Sequence, residues 1–148
     1  MLRCLLFALL VGICASAGEE KKKTVKSASS LSRGWGQNIK WVKSYEEGLS
    51  KMVKSQKPLM VIHHKQDCPH SQALKQGFAL DKTIQKMARE SFIMLNVVEE
   101  VGDPNLALDG YYVPRIVFVD PTKAVRTDII GVRDLRFNYA PDDLGVCE

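Results

Sequence analysis

The chain has 148 residues, of which 45% are hydrophobic and 26% are charged, and its formal net charge is +4. This length and composition predict one small domain with its own apolar core, and they exclude a chain that is disordered throughout. Of the four cysteines, two lie in an N-terminal segment that is expected to be cleaved off, and the two that remain are too few for a scaffold held together by disulfides. Basic residues without interleaved aromatic residues argue against a nucleic-acid site.

The first 17 residues have the pattern of a cleavable signal peptide. Arg3 gives a positive start, Cys4 to Cys14 is almost unbroken apolar sequence, and Ala15-Ser16-Ala17 is a small-residue cleavage site. The apolar run is too short to span a bilayer comfortably, which disfavours the alternative of an uncleaved anchor, and no later segment predicts a membrane span. We therefore expect the protein to enter the secretory pathway, where disulfides form and persist.

Residues 18–30 are predicted to be a disordered basic leader, because this stretch is rich in Lys and Ser and almost free of apolar residues. A solvated leader is favoured over the alternative of a basic arm that contacts anionic surfaces. The domain itself is predicted to occupy residues 31–148. It retains Cys68 and Cys147, of which Cys147 is expected to be an exposed thiol near the chain end.

The strands of this domain are predicted from continuous apolar runs, which suit burial on both faces of a sheet. They lie at Ile39–Val42, Leu59–Ile62, Phe92–Val98, Arg115–Val119 and, as a hairpin arm beyond a turn at Asp120–Lys123, Ala124–Ile130. Helices are predicted between them. The order strand–helix–strand–helix–strand–hairpin predicts an α/β layered fold with a mixed sheet.

The first helix is predicted to begin at the capping box Ser44–Glu47, and the last one at the cap Asp81. Between them a helix is expected over Gln72–Ala79. The residues expected to face the core are Tyr45, Leu49, Met52 and Val53 in the first helix and Ile84, Met87 and Ala88 in the last. The chain stops at Asp142–Glu148, where a final helix would begin. We therefore expect a truncated C-terminal helix and a sheet face exposed to water.

Cys68-Pro69-His70-Ser71 follows a predicted strand and opens a predicted helix. This is the layout of thioredoxin-type redox sites, whose usual form is Cys-x-x-Cys, with Ser71 in place of the second cysteine. The helix N-terminus and His70 favour the thiolate and Asp67 opposes it, so we expect a lowered thiol pKa. Ser71 is no nucleophile for resolving a mixed disulfide, which excludes a dithiol cycle and leaves isomerisation or capture of clients.

Val113-Pro114 precedes a predicted strand, at the place where thioredoxin folds carry a cis-proline facing the active cysteine, and we expect a cis bond there. The alternative is an ordinary trans proline at a strand start. His63, His64, Cys68 and His70 could also be read as metal ligands, but their spacing matches no zinc pattern, so no metal and no cofactor are expected. A buried structural thiol is the less favoured alternative for Cys68.

Five blocks of the sequence together resemble one family. They are Leu31–Gly36, Ser44–Glu47, Lys57–His64, Cys68–Lys75 and Tyr112–Pro121. In this order they resemble the anterior gradient proteins, single-domain relatives of the protein disulfide isomerases. The resemblance implies a thioredoxin-like three-layer fold, with Cys68 as the client-linking thiol and Val113-Pro114 as the cis-proline pair that contacts the substrate.

The same resemblance implies residence in the endoplasmic reticulum lumen with some secretion, and a role in the maturation of secreted cysteine-rich clients such as mucins. It permits two alternatives: a non-catalytic chaperone, or a secreted ligand of cell-surface receptors. A third hypothesis is a truncated product without an independent role. Relatives end in a Lys-Asp-Glu-Leu-like tetrapeptide, whereas this chain ends Gly-Val-Cys-Glu, which favours secretion or retention through clients.

The resemblance also implies a homodimer through the first helix, with Glu47 and Lys51 at the charged positions of the interface. These two residues are equally an ordinary i,i+4 pair on one helix. Gly48 lies between them, and its missing side chain would allow the close approach of another backbone.

Overall fold

A mixed three-stranded sheet lies at the centre of this computed structural model, which describes residues 31–98, 102–132 and 136–141. The central strand β1 (Leu59–His63) pairs in parallel with β2 (Ile93–Val97) and antiparallel with β3 (Arg115–Val119). Every residue of β1 and of β3 is buried, as continuous apolar runs predict. The expected α/β class with a mixed sheet is confirmed.

Three α-helices cover the two faces of this sheet, and they are α1 (Tyr45–Ser55), α2 (Pro69–Leu80) and α3 (Lys82–Glu90). Successive residues of β1 point to opposite faces and so divide the core in two. One half contains Leu59, Val61 and Met52 of α1, and the other contains Met60, Ile62, Leu74, Phe78 and Ile84 from β1, α2 and α3. The sheet therefore lies between two helical layers, which is the three-layer arrangement expected.

Asp81 separates α2 from α3. Its carboxylate accepts hydrogen bonds from the amides of Thr83 at 2.8 Å and Ile84 at 2.9 Å, which confirms the predicted cap. A short 3₁₀ helix at Pro104–Leu106 buries Leu106 against the α1 side of the core. Within the described residues, no helix is both long and apolar enough to cross a bilayer.

Several predictions concern residues outside the described ranges: the signal peptide at 1–17, the leader at 18–30, Cys147 and the truncated helix at 142–148. The expectation of a sheet face exposed to water is wrong, because every residue of β1 and β3 is buried. Phe137 and Tyr139 are buried on opposite faces of the sheet, so the segment after β3 contributes to both halves of the core.

Two predicted strands are reduced to single bridges. Only Trp41 of the Ile39–Val42 segment pairs with β2, opposite Met94, and only Val125 of the Ala124–Ile130 segment pairs with β3. The Trp41 indole N–H donates to the carbonyl of Gly36 at 2.9 Å, so that segment is folded back on its own turn. Beyond Val125, Arg126 pairs with Asp128 two residues later, and the chain turns away from the sheet.

Only one of the two hydrogen bonds predicted for the capping box of α1 is present. The Ser44 hydroxyl accepts from the Glu47 amide at 3.2 Å, as expected. The Glu47 carboxylate does not reach back to the Ser44 amide; it accepts instead from the amide of Lys43 at 2.8 Å. The donor of the second hydrogen bond is thus the amide of Lys43, one residue before the N-cap, and α1 still begins where the sequence predicts.

The buried face of α1 is rotated from the predicted one. Met52 is fully buried, but Val53 is 41% exposed, so its placement in the core is wrong. Gly48 takes the remaining place against the sheet: a Cβ added there would lie 3.0 Å from Leu59 Cδ1. The missing side chain of Gly48 therefore allows α1 to approach its own sheet, and the expected approach of another backbone at this residue is wrong.

This rotation predicts different costs for two neighbouring substitutions. Met52→Ala should lower the free energy of unfolding by about 2–5 kcal/mol, because it removes a fully buried side chain and leaves a cavity. Val53→Ala, its matched control on the same helix, should change it by less than about 0.5 kcal/mol. Urea unfolding of both variants measures the difference, and equal destabilisation would contradict the orientation of α1.

Candidate functional site

Cys68 is the N-cap residue of α2, and Pro69 occupies the first turn of that helix. The backbone at Cys68 is extended, at φ −88° and ψ 118°, as is typical of a helix N-cap residue. The thiol is free and half-buried, so the alternative of a fully buried structural cysteine is wrong. Pro69 and His70 are exposed beside it.

Ser71 lies under the thiol and is 1% exposed. Its hydroxyl oxygen accepts a hydrogen bond from the Lys65 amide at 3.3 Å, which ties the loop after β1 to the first turn of α2. The Cys68 amide also donates back to the Lys65 carbonyl at 3.4 Å. The side chain that replaces a second cysteine is therefore part of the structure that holds Cys68 in place.

The pKa of the Cys68 thiol is lowered, in the direction the sequence predicts. Burial acts to raise this pKa, but the amide and hydroxyl of Ser71 and the amide of His70 stabilise the thiolate and outweigh burial together with the charge of Asp67. His70 acts through its backbone and not through the ring charge that was expected.

The Val113–Pro114 bond is cis, as predicted. Pro114 is buried and Val113 half-buried, and they lead directly into β3. The first residue of β3, Arg115, pairs with His63, the last residue of β1. Because Cys68 follows the end of β1 and Pro114 precedes the start of β3, the loops that carry them lie at the same end of the sheet.

The cluster around Arg115 was not predicted from the sequence. This side chain is fully buried, and its Nη2 lies 3.0 Å from Nδ1 of His63. Its Nη1 donates to the carbonyl of Gly110, in the loop before Pro114. The one sequence feature that could have indicated this cluster is an arginine at the start of an otherwise apolar strand, because such a position places the guanidinium in the core or at the sheet end.

A second unpredicted cluster surrounds His64. The indole N–H of Trp35 donates to His64 Nε2 at 3.0 Å, so this ring nitrogen carries no proton. The amide group of Asn96 in β2 donates to the carbonyls of Leu31 and Ser32. These bonds attach the segment that begins the domain to the strand ends beside Cys68.

The four residues considered as metal ligands do not form a site. His64 faces Trp35 and His63 faces Arg115, whereas His70 is exposed on α2. Among residues 31–98, 102–132 and 136–141, no group of three or more His, Cys, Asp or Glu side chains could hold a metal ion.

Comparison with known proteins places this chain in a family. A family model described as thioredoxin-like matches residues 40–121. Anterior gradient protein 3 of Homo sapiens is 53% identical over 137 residues, which cover 92% of this chain and 82% of that protein. The chain belongs to the anterior gradient family. Anterior gradient protein 2-B of Xenopus laevis is 50% identical over 140 residues, covering 94% of this chain and 85% of its own.

These comparisons confirm both the resemblance to the anterior gradient proteins and the expected thioredoxin-like fold. A solved DsbH oxidoreductase is a more distant likeness, with a TM-score of 0.48 and 17% identity over 60% of this chain and 69% of that one.

The predicted dimer residues of this anterior gradient chain form an ion pair within α1. Lys51 Nζ lies 2.7 Å from Glu47 Oε1, and both side chains are partly exposed. Such a pair contributes only about 0.2–0.5 kcal/mol to one helix. A homodimer through this surface stays a prediction.

A cavity of about 610 Å³ opens at the N-terminal end of α1, where Ser44, Tyr45, Asn96 and Asp103 are among its lining residues. Neither Cys68 nor Pro114 lines it. The half-buried thiol therefore lies outside this cavity.

His64 should make the stability of this anterior gradient protein depend on pH. Burial, together with the nearby charges of Lys75 and Arg33, lowers the pKa of His64 from 6.5 to about 4. The unfolded chain binds the proton more tightly, so the stability associated with neutral His64 is complete above about pH 6.5 and is lost as the pH falls to 4. The difference corresponds to about 3 kcal/mol.

Urea unfolding between pH 7.5 and pH 4 measures this loss. His64→Gln, which removes the titrating ring, should flatten the pH dependence by about 3 kcal/mol. His70→Gln is the matched control, because it makes the same substitution at a histidine that is exposed on α2, and this variant should follow the wild type. A His64→Gln variant with the pH dependence of the wild type would contradict a neutral, buried His64.

Proposed function

We propose that this protein is a secretory-pathway, thioredoxin-like folding factor whose single thiol, Cys68, forms mixed disulfides with cysteine-rich clients. The observation that carries the proposal is Ser71. It occupies the position from which a second thiol would resolve a mixed disulfide, and it stabilises the Cys68 thiolate at the same time. The site is therefore suited to attack on a disulfide but cannot release the product by itself.

The proposed reaction is an exchange with no net oxidation. The Cys68 thiolate attacks one sulfur of a client disulfide, a bond forms between Cys68 and that sulfur, and the other client sulfur leaves as a thiolate. A thiolate of the client then attacks the mixed disulfide, a new client disulfide forms, and the Cys68 thiolate is regenerated. The electron count of the client is unchanged, and no external oxidant or reductant is consumed.

The residues around Cys68 have separate roles in this proposal. Pro69, in the first turn of α2, and Ser71, under the sulfur, fix the thiol at the helix N-terminus. The amide of His70 contributes to stabilising the thiolate. Val113 and Pro114, at the same end of the sheet, would contact the client segment on either side of its reacting cysteine.

The proposed location and clients rest on the sequence. The predicted signal peptide and the resemblance to the anterior gradient proteins support the endoplasmic reticulum lumen, secretion or both, and they support secreted cysteine-rich clients of the mucin kind. A non-catalytic role, as a chaperone or as a ligand of cell-surface receptors, is the alternative, and it would make the thiol dispensable.

Trapping of mixed disulfides in mucin-secreting cells tests this function. After rapid alkylation, the wild type should be found in adducts of higher mass that disappear on reduction, and Cys68→Ser should form none. Ser71→Cys should reduce the adducts at least about tenfold, because a second thiol in the same turn attacks at a high effective concentration. Non-reducing electrophoresis quantifies all three proteins.

Ser71→Ala is the matched control for Ser71→Cys, because it removes the hydroxyl without adding a thiol, and it should retain adducts. Adducts that persist in Cys68→Ser would overturn the proposal. Client maturation restored equally by Cys68→Ser and by the wild type would favour the non-catalytic alternative.

A further inference from the structure

Arg115 is a buried arginine, and no carboxylate of the described residues forms an ion pair with it. It is 0% exposed, at the first position of β3. Across residues 31–98, 102–132 and 136–141 the ion pairs involve Lys51, Arg89 and Arg126, and none involves Arg115. Its Nε is buried and has no hydrogen-bond partner among these residues. Its two hydrogen-bond partners, the Gly110 carbonyl and the His63 ring, are neutral acceptors, and the Asp109 carboxylate acts on the charge only at longer range.

The guanidinium contacts two separate parts of the site. One end donates to the Gly110 carbonyl and the other lies 3.0 Å from His63 Nδ1, which accepts because arginine can only donate. The guanidinium carbon also lies 5.5 Å from the ring centroid of Tyr112. Arg115 therefore joins the end of β1 to the loop that precedes Pro114.

Tyr112 attaches the same loop at a further point. Its hydroxyl donates to the Asp109 carboxylate and accepts from the Phe137 amide at 2.9 Å. Between these attachments Tyr111 is 64% exposed, and directly after them Val113 is half-buried. The loop is thus fixed through Gly110 and Tyr112, while Tyr111 faces outward and Val113 stays partly accessible.

Stability alone does not account for this arrangement. A buried charge without an ionic partner is costly, and an apolar side chain of similar size is often at least as stable in such a position. A guanidinium has a property that an apolar side chain lacks, because its planar fork holds two acceptors at a fixed separation. Here the two acceptors belong to the loop before Pro114 and to the strand that leads to Cys68.

We propose that Arg115 is a positioning residue, which fixes the loop Asp109–Pro114 relative to the end of β1 so that a client segment docked on this loop presents its sulfur to Cys68. The inference rests on the proposed function. Arg115 takes no part in the sulfur chemistry, so its loss should slow the reaction with a docked peptide and leave the intrinsic reactivity of Cys68 unchanged.

The test compares two reactions of the full chain carrying Cys147→Ser, so that Cys68 is the thiol of the domain that reacts. The first probe is a synthetic peptide whose single cysteine carries thionitrobenzoate: the Cys68 thiolate attacks the peptide sulfur, a Cys68–peptide disulfide forms, and thionitrobenzoate leaves as a coloured thiolate. The second probe is iodoacetamide, which needs no docking. Arg115→Met should slow the peptide reaction about tenfold and change the iodoacetamide reaction less than about twofold.

Arg115→Lys separates charge from geometry, because its single nitrogen keeps the charge but cannot replace the fork. It should also slow the peptide reaction, and it serves as the test if Arg115→Met does not fold. Arg126→Met is the matched control: this exposed arginine pairs with Asp128 beyond β3 and should leave both rates unchanged. Hydrogen exchange should be faster at the amides of residues 110–113 in both Arg115 variants.

The outcomes separate the two proposals. A wild type that forms no Cys68–peptide disulfide would overturn the proposed function, and hydrogen exchange would still decide whether Arg115 holds the loop. A wild type that reacts, with Arg115→Met and Arg115→Lys reacting equally fast, would overturn the inference. Unchanged hydrogen exchange in folded Arg115 variants would overturn it as well.

Discussion

The burial of β1 on both faces is the constraint on which the rest of the structure depends. This strand pairs with β2 on one side and β3 on the other, and its alternate side chains supply both halves of the core. Its register with β3 sets His63 opposite Arg115, so the chain leaves β1 toward Cys68 at the place where it enters β3 from Pro114. The candidate site is thus a consequence of how the central strand is buried.

The sequence predicted the parts of this site that depend on local chemistry. Cys68 at a helix start, Ser71 one turn later and a cis Pro114 can all be inferred from neighbouring residues, and so can the buried strands. The sequence could not predict Arg115 with His63, or Trp35 with His64, because these bonds join residues 52 and 29 positions apart. Nor could periodicity decide between neighbouring helix positions, since that choice depends on where Gly48 lets α1 approach the sheet.

Ser71 connects the structure to the proposed function. A second cysteine could resolve the mixed disulfide within the site. The buried serine stabilises the thiolate but cannot resolve that disulfide, so a thiol of the client must do so. The clusters of Arg115 and His64 fit the same account: one ties the loop before Pro114 to β1, and the other attaches the start of the domain beside it. Their polar groups lie at the sheet end that carries the thiol.

The central claim is that Cys68 can capture a client and that only a client thiol can release it. The most direct measurement follows two peptides joined to Cys68 by a disulfide, one with no other cysteine and one with a second, free cysteine, in a chain carrying Cys147→Ser. The account predicts that the first peptide stays attached without added thiol and that the second leaves with an internal disulfide. Release of both peptides at the same rate would contradict it.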